Sequence, residues 1–279
     1  MLRPPMSLRQ ILLSVFCLTV IAGIDPSKAD ADVTNFLTWQ PIADPVDPGF
    51  SVAASPTTAN LFALDQPIAA GIDIGFASVN GSTVASSMTG HYFRPTDSFA
   101  LAIDYDWSFA GNPSGLLGLG FGIGEDAAGE NSAGIGLVAN SGIPLLTYAG
   151  AARVNDVNQN AMLLGTPSEL SGTLFVSFHA PNGDITVGAA TTKGATMADD
   201  STTFSSLQQQ WNGDNLMVSF FMRSDQQSIL QSWQGGQSEA AFSNFRVLSG
   251  AAVAIPEPSA LILLSSLTGG FLLRRRRMT

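Results

Sequence analysis

Between about residues 40 and 250 the apolar side chains recur at every second position in short runs, and the runs stop at Gly, Asn, Asp or Pro. A period of two is the signature of a strand with one buried face. The stretch "SFALAIDYDWSFAG" is the clearest case. Phe99, Leu101, Ile103, Tyr105, Trp107 and Phe109 share one face, and Ala100, Ala102, Asp104, Asp106 and Ser108 share the other. "GLLGLGFGIG" and "SAGIGLVAN" read as partners across "EDAAGEN". "GTLFVSFHA" and "DITVGAATT" are joined by the turn signature Pro181-Asn182-Gly183. "AGIDIGFASV" runs into Asn80-Gly81, a hairpin signal, before "STVASSMTGHYF". With "NLMVSFFMRS" and "AAFSNFRVLSG" the pattern predicts about ten to twelve strands at sandwich spacing. One helix is predicted in "DSTTFSSLQQQWNGDN", where Phe204, Leu207 and Trp211 stand at helical spacing, Thr202 or Thr203 can cap the start and Gly213 the end. The fold class expected is an all-β antiparallel β-sandwich, jelly-roll-like, with one short helix and a C-terminal transmembrane helix.

Composition supports a packed body. Of the 279 residues 45% are hydrophobic and 12% charged, unlike the charge-rich chains that stay unfolded. No repeat of fixed period and no long polar linker divides it. Between Asp32 and Ile255 there are 19 acids and five bases, a net −14. Such a surface repels a phosphate backbone, so nucleic acid is excluded as a partner.

The two ends read as addresses. Arg3 and Arg9 precede the apolar run Ile11 to Ile24, and Ala29-Asp30-Ala31 fits the small-x-small rule. Residues 1–31 are therefore expected to be a signal peptide, with cleavage near Asp32. The lone cysteine, Cys17, falls inside it, so the mature chain has no disulfide and no thiolate metal site. At the other end Pro256-Glu257-Pro258 precedes an apolar stretch, Ser259 to Leu273, and then Arg274, Arg275, Arg276 and Arg277. The prolines mark a helix start. The arginines place the C-terminus on the cytoplasmic side.

Those three elements in this order resemble the PEP-CTERM sorting domain of Gram-negative bacteria. The resemblance covers the tail, residues 254–279, with a transmembrane helix over 259–273. It implies an exosortase as partner, transient residence in the inner membrane, cleavage near the motif, and a final place at the cell surface or in exopolysaccharide. The body, 32–253, is read as one β-sandwich domain. Its last strand, Phe242 to Ser249, resembles the closing strand of concanavalin A-like lectin and glucanase jelly rolls.

Candidate chemistry within the body is sparse. Asp104 and Asp106 point the same way from one strand. Jelly-roll glycosidases of the laminarinase kind resemble this, but their Glu-x-Asp-x-Glu pattern needs glutamates that this strand lacks. The two aspartates read as a solvated strand face. Glu125, Asp126, Glu130 and Asn131 form an acidic turn whose oxygens suit Ca2+, and Asp199 and Asp200 form a second acidic loop. His91 and His179 are the only histidines, and no G-x-S-x-G elbow is present. "GLGFGIG" has no helix behind it and no basic residue near, so its glycines read as close strand packing rather than a phosphate cradle. Of Trp39, Trp107, Trp211 and Trp233, the last has polar and glycine neighbours and is the candidate for an exposed sugar contact.

No catalytic constellation emerges, so the sequence reading is of a non-enzyme. It is an exported surface or extracellular-matrix protein that binds exopolysaccharide. The alternatives are a polysaccharide-acting hydrolase using Asp104, Asp106 or Glu125, Asp126, Glu130, and a structural matrix protein without a specific ligand.

Overall fold

The computed structural model describes residues 33–44, 47–140, 145–226 and 230–255. The predicted signal peptide, the transmembrane helix 259–273 and the sorting residues Pro256 to Pro258 and Arg274 to Arg277 lie outside the described residues.

Seventeen strands are present among the described residues. They are β1 (Gln40–Asp44), β2 (Phe50–Ala54), β3 (Thr58–Ala63), β4 (Ile72–Ala77), β5 (His91–Tyr92), β6 (Phe99–Ser114), β7 (Leu116–Gly124), β8 (Ser132–Asn140), β9 (Leu145–Val154), β10 (Val157–Asn158), β11 (Met162–Leu163), β12 (Ser171–His179), β13 (Asp184–Ala190), β14 (Asp200–Phe204), β15 (Met217–Asp225), β16 (Gly235–Ser249) and β17 (Val253–Ala254). The larger sheet has the order β1-β4-β15-β7-β8-β9-β10, with β11 also on β9. The second sheet has the order β14-β13-β12-β6-β16-β3-β2. Every pairing between these strands is antiparallel. The chain is an all-β antiparallel sandwich.

The alternation read from the sequence decides which face packs. On β6, Phe99, Leu101, Ile103, Tyr105 and Trp107 are all buried to 2% exposure or less. They meet Leu117, Leu119, Phe121 and Ile123 of β7, Ile135 and Leu137 of β8, and Phe220 of β15 in one continuous core. Burying a side chain of that size contributes about 1.5–3 kcal/mol, so this layer dominates the stability. The Tyr105 and Tyr148 hydroxyls meet across the two sheets at 2.6 Å. This pairing satisfies two polar groups that the dry interior would otherwise penalise. Burial pushes both phenols up, Tyr105 very strongly, so both remain neutral.

Two local expectations fail for identifiable reasons. The predicted helix at 202–213 is instead strand β14 followed by a 3-10 turn, Gln208–Gln210. Thr202 and Thr203 pair with β13, and Ser206 takes φ 53°, which no helix accommodates. Phe204, Leu207 and Trp211 still bury, so the spacing reported burial and not helicity. Asn80-Gly81 makes no hairpin. Asn80 Oδ1 accepts from the Met88 and Thr89 amides and closes a loop, while β4 pairs with β1 and β15. No α-helix occurs among the described residues, and no helix there is long and apolar enough to cross a membrane.

Candidate functional site

The outward faces of the two sheets differ, and the difference locates the site. On the larger sheet the outward positions form transverse rows set by strand register. One row reads Gly75, Phe221, Gly120, Gly136, Ala149. The next reads Ala77, Ser219, Gly122, Gly134, Ala151. These ten outward positions thus carry five glycines, three alanines, one serine and a single ring. The result is a groove of about 360 Å3 floored by backbone and methyl groups. It runs along β7, a length of about 27 Å at the usual rise per strand residue.

Some of these glycines are required by packing. A Cβ on Gly122 would sit 2.6 Å from the Ala133 carbonyl, and one on Gly134 2.6 Å from the Phe121 carbonyl. Others are not. A Cβ on Gly118 meets nothing nearer than 3.9 Å, and one on Gly136 nothing nearer than 3.4 Å. Glycine within a strand weakens it, so two positions with room for a side chain are left empty at a cost in stability. The Phe221 ring lies down over Gly120, where an added Cβ would come within 2.3 Å of the ring. It presents a flat aromatic patch in the middle of the floor.

Charge is confined to the groove's ends. At one end Arg223 Nη1 bonds Asp73 at 3.0 Å and its Nε lies 3.9 Å from Asp225. At the other, Arg153 lies beside Ser132 in register, pairs with Asp156 and donates from Nη1 to the Gly129 carbonyl at 3.4 Å. Among the described residues lining the groove, the titratable side chains are Asp73, Asp126, Asp225, Arg153 and Arg223.

The candidates read from the sequence lie elsewhere. Asp104 is on the outward face of the second sheet, but it is not solvated as expected: it is 3% exposed. The 191–199 segment folds over it. Gly194 N donates to both carboxylate oxygens at 3.0 Å, Thr173 Oγ1 at 2.7 Å, Asn244 Nδ2 at 2.8 Å and Arg246 Nη2 at 3.1 Å. Burial alone would raise its pKa, and the donors from Arg246, Asn244, Thr173 and Gly194 outweigh it and hold the carboxyl below its usual range. With every lone pair engaged it is a structural anchor. Asp106 is exposed and paired with Lys193 at 3.1 Å. The two acids thus have separate partners and share no groove.

The acidic turn is likewise spoken for. Glu125, 2% exposed, accepts from the amides of Asn212, Gly213 and Asp214 at 2.7–2.9 Å and from Asn131 Nδ2 at 3.0 Å. Asp126 accepts from the Glu130 and Asn131 amides, and Asn131 Oδ1 from Asn155 N. Glu130 is exposed. These bonds tie the β7–β8 turn to residues 155 and 211–214. Among the described residues no cluster of three or more His, Cys, Asp or Glu is placed to hold a metal ion. Asp199 accepts from Thr191, and Asp200 from the Gly165 amide.

Trp233 requires a correction. It is fully buried, with its indole N–H donating to the Leu64 carbonyl at 3.2 Å, and it offers no surface to a sugar. Its polar sequence neighbours misled because it lies in an irregular stretch where adjacent residues do not share a face. All four tryptophans are buried. His179 bonds Asn182 in a turn, and His91 is buried against Trp39 and Phe245. The groove itself was missed. Its trace was in the sequence, as glycine at alternate positions 118, 120, 122, 124 and again at 134, 136. Read as strands, these put one side-chain-free face on two neighbouring strands.

Fold and groove define an antiparallel sandwich with an open, smooth channel on one face. No family model matches the chain, and no curated protein matches it. Solved structures of similar architecture include xyloglucan PUL GH43B of Bacteroides ovatus, at 13% identity and TM-score 0.42. That match covers 78% of this chain and 38% of the other. They include the alginate lyase from Klebsiella pneumoniae, at 10% and 0.44 over 72% and 84%. They also include an endo-1,3-beta-glucanase from Streptomyces sioyaensis, at 10% and 0.40 over 79% and 95%. At these identities the likeness concerns the fold. Alginate lyases and a glucanase stand among the similar structures, as does a peanut lectin, and the sequence reading of a non-enzyme is withdrawn.

Proposed function

We propose that this chain is a polysaccharide-acting protein that receives a glycan strand along the outward face of its larger sheet. One observation carries the reading: the groove is long, open and flat, with the Phe221 ring in its floor and two glycines where side chains would fit. A sugar ring has one face of C–H bonds that stacks on an aromatic ring and hydroxyl edges that bond to polar groups. A flat floor with charged ends suits such a ligand better than a compact one, which would need enclosing walls.

Hydrolysis is the reaction class the groove's own side chains can serve. Two carboxylates, Asp73 and Asp225, flank Arg223 at one end, and a carboxylate pair is what glycoside hydrolysis uses. They replace Asp104, Asp106, Glu125 and Glu130 as the acids to test. The experiment is a reducing-end assay on a panel of polysaccharides with wild type, Asp73→Asn and Asp225→Asn. Release by wild type, reduced at least a hundredfold in either variant, supports hydrolysis here. Full activity in both variants removes these residues from the role. Neither cleavage nor binding of any polysaccharide removes the proposal.

Export and sorting through the tail belong to the same reading. The body's last strand, β17, pairs with β5, and Ile255 N donates to the Gly90 carbonyl, which ties the chain to the body just ahead of Pro256. Mass spectrometry of the mature protein tests it. A C-terminus still carrying "LLRRRRMT" would remove processing near the motif.

A further inference from the structure

We infer that the strand this groove takes is an uncharged glycan and not a uronate polymer; this rests on the groove being the binding site. A uronate polymer brings one negative charge per sugar, and each must find a cation or stay in water. The groove has two cations against three carboxylates: Arg153 and Arg223 against Asp73, Asp126 and Asp225. Both arginines already carry carboxylate partners. Arg223 is held between Asp73 and Asp225. Arg153 is held by Asp156 and the Gly129 carbonyl, and its Nε is buried. A uronate entering here would share a guanidinium whose charge an existing carboxylate already offsets. The rest of the body opposes it as well. Three of its five bases, Arg94, Lys193 and Arg246, lie outside the groove lining, and its 19 acids set a repulsive field for any polyanion.

The floor points the same way. Gly118, Gly120, Gly122, Gly124, Gly134 and Gly136 offer no side-chain donor, and the patch between the charged ends is the Phe221 ring with Ala77, Ala149 and Ala151. Burying a carboxylate against such a surface without a partner is costly, whereas the C–H face of a neutral sugar gains from it. The polar edge groups, Ser219 and Ser132, can bond hydroxyls and carry no charge. The groove therefore selects by what it lacks.

The test is titration calorimetry of the full chain with two probes of equal length, neutral gluco-oligosaccharides and mannuronate oligosaccharides, at low salt and with EDTA present. Wild type, Phe221→Ala and Gly136→Val are compared. Gly136→Val adds a side chain whose Cβ lies at van der Waals distance from the Leu119 and Ala149 carbonyls, and circular dichroism checks that the fold is kept. The expected result is binding of the neutral probe, at least tenfold tighter than the uronate, and weakened at least fivefold in both variants. Uronate binding as tight as neutral binding, weakened by the same variants, overturns this inference while leaving the groove as the site. Neutral binding unaffected by either variant overturns the groove reading and the inference with it. No binding of any saccharide overturns the proposed function itself.

Discussion

The two outward faces of this sandwich are built from the same kind of strand and are used in opposite ways. On the second sheet, Asp104 stands at the centre of the face and the chain folds back over it, bringing the amide of Gly194 and the guanidinium of Arg246 to one carboxylate. Ala102, Phe175 and Ala190 close with Ala195 and Ala198 around it. On the larger sheet the matching central positions are glycines, alanines, a serine and one ring, and they floor a groove. A face with a buried charge must be sealed, because a lone carboxylate is tolerated inside only when its lone pairs are filled. A face with no side chains need not be sealed, and it remains open to a ligand. The comparison separates the acids that hold the fold from those that can meet a substrate.

The largest effect that could break this contrast is at the sealed face. Asp104→Ala should lose about 3–5 kcal/mol in urea unfolding, since it strands Arg246 without its partner. A loss under about 0.5 kcal/mol would mean that the seal stands without its anchor.

Acid comes next, and it needs a control. Burial against Trp39 and Phe245 lowers the His91 pKa from 6.5 to about 4, and its Nε2 has no partner among the described residues. The unfolded chain takes up this proton below about pH 6.5, the folded chain only near pH 4. Stability is therefore fully present above pH 6.5 and falls between pH 6.5 and 4, by about 3 kcal/mol in total. His91→Phe should flatten the stability profile over that window. What remains at lower pH then reports carboxylates, Asp104 among them, whose lowered pKa makes its contribution disappear only as pH falls below the ordinary carboxylate range. An unchanged slope in His91→Phe would place the proton uptake elsewhere.

The open face gives smaller effects of opposite sign. Gly118→Val and Gly136→Val should leave stability unchanged or raise it by up to about 1 kcal/mol, by removing strand glycines where an added Cβ meets only van der Waals contacts, while weakening glycan binding about tenfold. Stabilisation without loss of binding would mean that the empty floor is not what the ligand uses. Phe221→Ala should cost about fivefold to tenfold in affinity, the value of one aromatic contact. The smallest effect belongs to Lys193→Ala. Its pair with Asp106 is exposed on both sides, so unfolding should shift by less than about 0.5 kcal/mol. A larger shift would show that the covering segment depends on that pair as well as on Asp104.

The strand pattern was legible from the sequence because a period of two is a local property. Phe99 to Trp107 point inward as read, the β7–β8 and β12–β13 pairs form in the expected order, and Gly183 turns the second pair at φ 70°. The helix over 202–213 was misread because strand β14 and the turn after it bury the same three residues that a helix would. Exposure of single residues was not legible. Trp233 sits in a polar stretch and is buried, and Asp104 sits on an outward face and is also buried.

By itself, then, the chain determined that it would form two-faced strands, which faces would pack, and that two neighbouring strands would carry one face free of side chains. Those depend on neighbours two residues apart. Only the tertiary structure decided which aspartates are structural and which are available. Asp104 meets Gly194 and Arg246 from about ninety and one hundred and forty residues away, and Asp73 meets Arg223 from one hundred and fifty. Contacts over such separations are set by how sheets and loops close on each other, and no local pattern encodes them.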